Sequence, residues 1–210
     1  MADGQGTLKL YITDGSPYAR IARVVILEKE LQSRVEIVLA ETRVARSPYY
    51  SVNPSGRVPY LVRDDGVGLE ESALICEYLD HIDGKPAFDL PSGEQRWDAR
   101  RLEALARSMT DGIAVWAREL RRPPNERSPT IVQHEADRAA RFADLWEREI
   151  THPLMRGPLN LPQITLACAF GLEPRLPSFR SRARHPALSE WLDRIAERPS
   201  LAATAPAARR

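Results

Sequence analysis

The sequence predicts an α+β unit followed by an all-helical unit, and three observations carry that prediction. Strand and helix patterns alternate up to about residue 84. A link, "GKPAFDLPSG", then brings Gly84 and Pro86 at one end and Pro91 and Gly93 at the other. Beyond it every apolar repeat runs at helical spacing. The expected organisation is a first domain over 1–84, a linker over 85–93 and a helical domain over 94–210.

The first strand is "LKLYI", from Leu8. Asp14-Gly15 makes a turn, Ser16 is placed to cap a helix, and Pro17 takes the first helical position, where its missing N–H costs nothing. Ile21, Val24, Val25, Leu27 and Leu31 give that helix its apolar positions. A second strand, "VEIVLA" over 35–40, is rich in β-branched residues, and the intervening helix is the connection a parallel βαβ unit requires. The polar, turn-rich "ETRVARSPYYSVNPSGR" follows. "VPYLVRD" and "VGLEE", separated by Asp64-Asp65-Gly66, then read as a hairpin. "SALICEYLDHI" closes the unit with Leu74, Ile75, Tyr78, Leu79 and Ile82 on one face. The order β-α-β-α-β-β-α is the thioredoxin-like one.

In the second unit, Trp97, Leu102, Leu105, Met109, Ile113, Trp116 and Leu120 recur at three to five residues across 94–122, and "RRPPN" stops that helix. A second long helix is expected over 129–150. "NLPQITLACAFGL" is apolar nearly all round and reads as a buried central helix, opened by an Asn160–Gln163 capping box. The last helix is "HPALSEWLDRIAERPSL".

Composition narrows the function classes. Thirty basic residues against twenty-nine acidic leave a charge of +1, which argues against a nucleic-acid binder. No apolar run reaches the roughly 18 residues of a membrane span. The polar "MADGQGT" lacks a basic flank followed by an apolar core, so a cytoplasmic location is expected. Cys76 and Cys168 sit in apolar helical patterns and read as small core residues of a reducing compartment. His81, His134, His152 and His185 are scattered, lack metal-ligand spacing to either cysteine, and are expected on surfaces or loops; no metal is expected.

Four local patterns remain: "SPYAR", "NPSGRVPYL", "EESALICEYL" and "RPSLAATAP". In this order, ahead of an all-helical half, they resemble the cytosolic glutathione S-transferases along essentially the whole chain. The resemblance implies that fold, glutathione as co-substrate, a small electrophilic partner and a homodimer. It also implies residue roles. Ser16 takes the place of the catalytic hydroxyl in serine-type members. Val58-Pro59 falls at the family's cis-proline, where the Val58 backbone pairs with the cysteinyl part of glutathione. Glu71 and Ser72 fall where the γ-glutamyl ammonium and carboxylate lie, and Arg57 where a basic residue reaches the glycyl carboxylate. Pro17, Tyr18, Met109 and Ile113 are the residues expected near the second substrate. Read for structure alone, Glu70 and Glu71 offset a helix dipole, Ser72 serves capping, Arg57 is a solvated loop residue and Asn53 a turn residue before Pro54.

The chemistry asked of Ser16 is modest. A free thiol with a pKa of about 8.5 is only about 3% thiolate at pH 7. A hydroxyl at a helix N-terminus can donate to that thiolate while still accepting a capping N–H. Tyr11 in the first strand is the alternative donor. A cysteine-type thiol-disulfide enzyme would need a cysteine beside position 16, and there is none. Glutathione or partner binding without turnover, and glutathione-dependent isomerisation or dehalogenation, are compatible with the same motifs.

Overall fold

A computed structural model of the chain describes residues 6–88, 91–176 and 178–206. Asp89 and Leu90 of the expected linker, and the end of the Ala-rich tail, lie outside the described residues. The chain forms two compact units, Met1–Ala87 and Phe88–Arg210.

The first unit runs β1 (Leu8–Ile12), α1 (Pro17–Glu28), β2 (Val35–Leu39), α2 (Tyr49–Val52), β3 (Tyr60–Val62), β4 (Gly68–Leu69), α3 (Ser72–His81). The four strands form one mixed sheet in the order β2-β1-β3-β4, with β1 parallel to β2 and antiparallel to β3, and β3 antiparallel to β4. Strand alternation sets the two faces of β1: Leu8, Leu10 and Ile12 are buried, while Lys9 and Tyr11 point the other way. Ile21, Val24 and Val25 of α1 and Ile75 and Leu79 of α3 complete this core, and the two helices pack together. The β3–β4 hairpin turns at Gly66, whose φ of 83° suits glycine.

Helix α1 ends earlier than its apolar pattern suggests. Glu30 adopts a left-handed φ of 55°, Leu31 N donates to Ile26 O at 2.9 Å, and Glu30 N to Leu27 O at 3.2 Å. This is a Schellman ending with glutamate where glycine is usual, and Leu31 is buried beyond the helix, not on it. On edge strand β2, Ile37 and Leu39 are exposed.

The second unit comprises α4 (Gln95–Glu119), α5 (Pro129–Glu149), α6 (Pro153–Arg156), α7 (Leu161–Phe170), α8 (Pro186–Ala196) and α9 (Pro199–Ala203), with short 3-10 turns between them. All ten residues of α7 are buried, and α4 packs on α7 and α5. Leu102, Met109, Ile113 and Trp116 fill the buried stripe of α4, whereas Trp97, expected on that stripe, is 59% exposed. The capping box forms in one direction. Asn160 Oδ1 accepts from Gln163 N at 3.1 Å, but Gln163 Nε2 donates to Leu154 O at 2.7 Å and Pro158 O at 3.1 Å instead of returning to Asn160.

His185 corrects the expectation that the histidines lie on the surface. It is buried, with Nδ1 2.6 Å from Ser181 O and Nε2 2.8 Å from Asp144 Oδ1. Its bond holds the Asp144 carboxyl below the usual carboxylate range. Glu147 of α5 also accepts from Ala187 N and Leu188 N, so α5 supplies the cap that α8 lacks in its own sequence.

Candidate functional site

Three of the four sequence motifs lie in the first unit. A turn in which Ser16 N donates to Thr13 O at 3.1 Å carries the chain from β1 into α1. Ser16 then caps α1: its Oγ accepts from Ala19 N at 3.2 Å, and Pro17 begins the helix. The same hydroxyl donates to Val58 O at 3.5 Å, so the first and second motifs meet across 42 residues. The Val58-Pro59 peptide is cis, and so is Glu70-Glu71. Val58 is half-buried and Pro59 buried.

Ser72 is the first residue of α3 and is 2% exposed. Glu71 occupies the N-cap position, but its side chain makes no cap hydrogen bond. It faces Arg57 instead, at 3.6 Å, with the two side chains 65% and 75% exposed. Two charges expected at opposite ends of a tripeptide are therefore neighbours here, in an exposed pair of the kind worth at most about 1 kcal/mol. Either side chain is free to exchange partners at small cost.

Behind this pair lies a polar cluster that the motifs did not disclose. Glu70 Oε2 accepts from Asn53 Nδ2 at 2.8 Å and from Ser55 Oγ at 2.6 Å. Asn53 Nδ2 also donates to Arg57 O at 3.1 Å, and Ser55 Oγ accepts from Arg57 N at 3.2 Å. Tyr49 OH donates to Arg57 O as well. Burial pushes the Tyr49 phenol up from an ordinary value that already leaves it a donor at neutral pH. Gly56, at φ 64°, gives the turn its shape, and a Cβ there would lie 2.8 Å from the Tyr50 ring. In the sequence Asn53 reads as a turn former and Glu70 as a helix-dipole partner. The pairing between them spans 17 residues and follows no periodicity, and the only hint of it is a carboxylate one residue further from the helix than a cap needs.

Tyr11, the other donor considered, lies on the outward face of β1, with its ring 5.5 Å from that of Tyr49. Pro17 is buried and Tyr18 half-buried on α1. Met109 and Ile113 belong to the second unit, where each is 1% exposed within the helical core. Among the described residues no group of three His, Cys, Asp or Glu is placed to hold a metal ion, and no helix is long and apolar enough to cross a membrane.

Residues 10–87 match the family model for the N-terminal domain of glutathione S-transferases. A glutathione transferase family member from Pseudomonas fluorescens Pf-5, solved with bound glutathione, is 30% identical, with a TM-score of 0.85 over 96% of this chain and 100% of the other. A glutathione S-transferase from Methylobacillus flagellatus KT, with glutathione bound, gives 30% identity and a TM-score of 0.83 over the same shares. The GST-like protein YibF of Escherichia coli, described as uncharacterized, is 28% identical over 78% of this chain and 81% of its own. With a thioredoxin-like first unit, a helical second unit and two solved relatives, each 30% identical and matched along its full length, the chain belongs to the glutathione transferase family.

Proposed function

We propose that the protein is a cytosolic, homodimeric glutathione transferase of serine type, in which the Ser16 hydroxyl stabilises the thiolate of glutathione for attack on an electrophilic, largely apolar substrate. The observation that carries this reading is the 3.5 Å approach of Ser16 Oγ to Val58 O. A cysteinyl group paired with the Val58 backbone would bring its sulfur beside a hydroxyl that also stands at the N-terminus of α1. Two favourable terms act there on a negative charge: a charged hydrogen bond and the helix end.

The other roles follow the same frame. Ser72, at the start of α3, would receive the γ-glutamyl carboxylate with help from that helix N-terminus, and Glu71 the ammonium. Arg57 would leave Glu71 to reach the glycyl carboxylate, an exchange that their exposure makes inexpensive. Contact of Tyr11 with Tyr49 favours Ser16 over Tyr11 as the thiolate donor. Tyr18 and Pro17 would border the second substrate, while Met109 and Ile113 would meet only a ligand that enters packed side chains.

Isothermal titration with glutathione, followed by turnover assays on a panel of electrophiles, tests the reading. Saturable binding with turnover of at least one electrophile is expected. Binding without turnover across the panel would replace the enzyme with a glutathione-binding scaffold. Sedimentation at micromolar protein tests the dimer, and a monomer would overturn that part.

A further inference from the structure

Glu70 has no part in the proposed glutathione contacts, yet its carboxylate is the point on which the turn before Val58 hangs. Both donors converge on one oxygen, Oε2: Asn53 Nδ2 at 2.8 Å and Ser55 Oγ at 2.6 Å. Each donor in turn grips one side of Arg57, Ser55 Oγ accepting from Arg57 N at 3.2 Å and Asn53 Nδ2 donating to Arg57 O at 3.1 Å. Asn53 Oδ1 also accepts from Ser55 N at 3.0 Å, which closes the turn on itself. The turn carries Pro54 and Gly56, and Ser55 and Arg57 are exposed. Cross-links of this kind are what order such a backbone.

We propose that Glu70 is a positioning residue of the glutathione site: it fastens the 53–57 turn, which presents Arg57 and leads into Val58, to the head of α3, which presents Glu71 and Ser72. This rests on the glutathione reading given above. Without Glu70, the turn carrying the groups expected to meet the glycyl and cysteinyl parts would keep the exposed Arg57–Glu71 pair but lose its two hydrogen bonds to the segment that opens α3. Ligand binding would then have to order that turn, and affinity would fall without loss of any contact atom. The role needs an acceptor at this position and not a charge, because amide and hydroxyl donors are both satisfied by a neutral carbonyl oxygen.

The test is titration calorimetry with glutathione on the full chain and on Glu70→Ala, Glu70→Gln, Ser55→Ala and the Glu70→Ala/Ser55→Ala double variant, below each melting temperature. Glu70→Ala is expected to weaken glutathione about tenfold, the size associated with removing a support behind a binding group. Glu70→Gln should recover most of that loss, since its Oε1 can still accept. Ser55→Ala should show part of the loss, and the double variant should be no weaker than Glu70→Ala, because both act through one link. A residue that merely stabilised the fold would shift the melting temperature and leave the affinity alone.

Wild-type affinity in Glu70→Ala would overturn the inference and leave the glutathione reading standing. A Glu70→Gln variant as weak as Glu70→Ala would also overturn it, since charge and not anchoring would then matter. If Glu70→Ala does not fold, Ser55→Ala decides, and unchanged affinity there rejects the role. Absence of glutathione binding by the wild-type chain removes the reading and the inference together.

Discussion

Replacing Ser16 separates two roles that one oxygen performs. As an N-cap it accepts from Ala19 N at 3.2 Å, and Ser16→Ala should cost about 1 kcal/mol of stability, read as a shift in the urea midpoint. As a donor it would hold a bound thiolate. Lowering a thiol pKa from about 8.5 to about 6.5 takes about 2.7 kcal/mol, since each unit is about 1.4 kcal/mol. A hydrogen bond to a charged group supplies about 1.5 to 3 kcal/mol and a helix N-terminus about 0.3 to 1. The helix term survives in Ser16→Ala, so the bound-thiol pKa should rise by about one to two units, and the thiolate fraction at pH 7 should fall from about three quarters to between about a quarter and about 3%. Titrating the thiolate absorbance of the glutathione-saturated protein against pH reads this directly. Ser16→Asp sharpens the contrast. An aspartate caps a helix well but cannot donate to a thiolate and would repel it, so stability should hold while the absorbance band and conjugation disappear. Full conjugation by Ser16→Asp would refute the argument and leave Ser16 a cap, with Tyr11 or a backbone N–H holding the thiolate.

The charged pair gives two further expectations. Glu71 is 65% exposed on its side chain and makes no cap bond, so Glu71→Ala should weaken glutathione by about 1 kcal/mol with the melting temperature unchanged; equal affinity would remove it from the site. Arg57→Ala should weaken glutathione but leave γ-glutamylcysteine, which lacks the glycyl carboxylate, bound as before. Parallel losses for both ligands would move Arg57 to the γ-glutamyl end, beside Glu71. In the helical unit, the Arg101 guanidinium, bonded at 2.8 and 2.9 Å, holds the Glu149 carboxyl below its ordinary value. A depressed folded pKa contributes stability above the unfolded value, and that contribution is lost as pH falls through the folded one. Arg101→Gln should therefore cost about 0.5 kcal/mol at neutral pH and flatten the acid limb of a stability profile taken below about pH 4.5; an unchanged limb would show that the pair contributes nothing.

Local chemistry made some elements legible. The Ser16-Pro17 start of α1, the Asp64-Asp65-Gly66 turn and the nearly all-apolar α7 each follow from residues within a few positions of one another, and each is found where its signal lies. Features that depend on distant partners were not readable. The end of α1 uses Glu30 in a left-handed conformation, where only a glycine would have announced it. His185 is buried because Asp144, 41 residues earlier, stands opposite its ring. Trp97 stands five residues before Leu102, a step of about 140° around the helix, so it falls off the buried stripe of α4, and a three-to-five-residue spacing misjudged its exposure. At the site, Ser16 and Val58 are both visible as motif residues, whereas the bond between them and the Glu70 anchor are products of the folded sheet.

The contacts of Ser16 also bear on how its hydroxyl could change partner. Its donated bond to Val58 O is 3.5 Å long, close to the limit at which such a bond is worth anything, while its accepted bond from Ala19 N is of ordinary length for a cap. Turning the O–H away from Val58 therefore costs little, and turning the lone pair away from Ala19 would fray the helix. In the proposed complex a cysteinyl N–H would take the Val58 carbonyl, which compensates that acceptor as the O–H rotates toward sulfur. The helix stays capped throughout, so activation of the thiol need not be opposed by loss of structure. A substituent that accepts without donating breaks only the first of these functions, and for that reason aspartate, more than alanine, discriminates between a serine that organises α1 and one that also holds a thiolate.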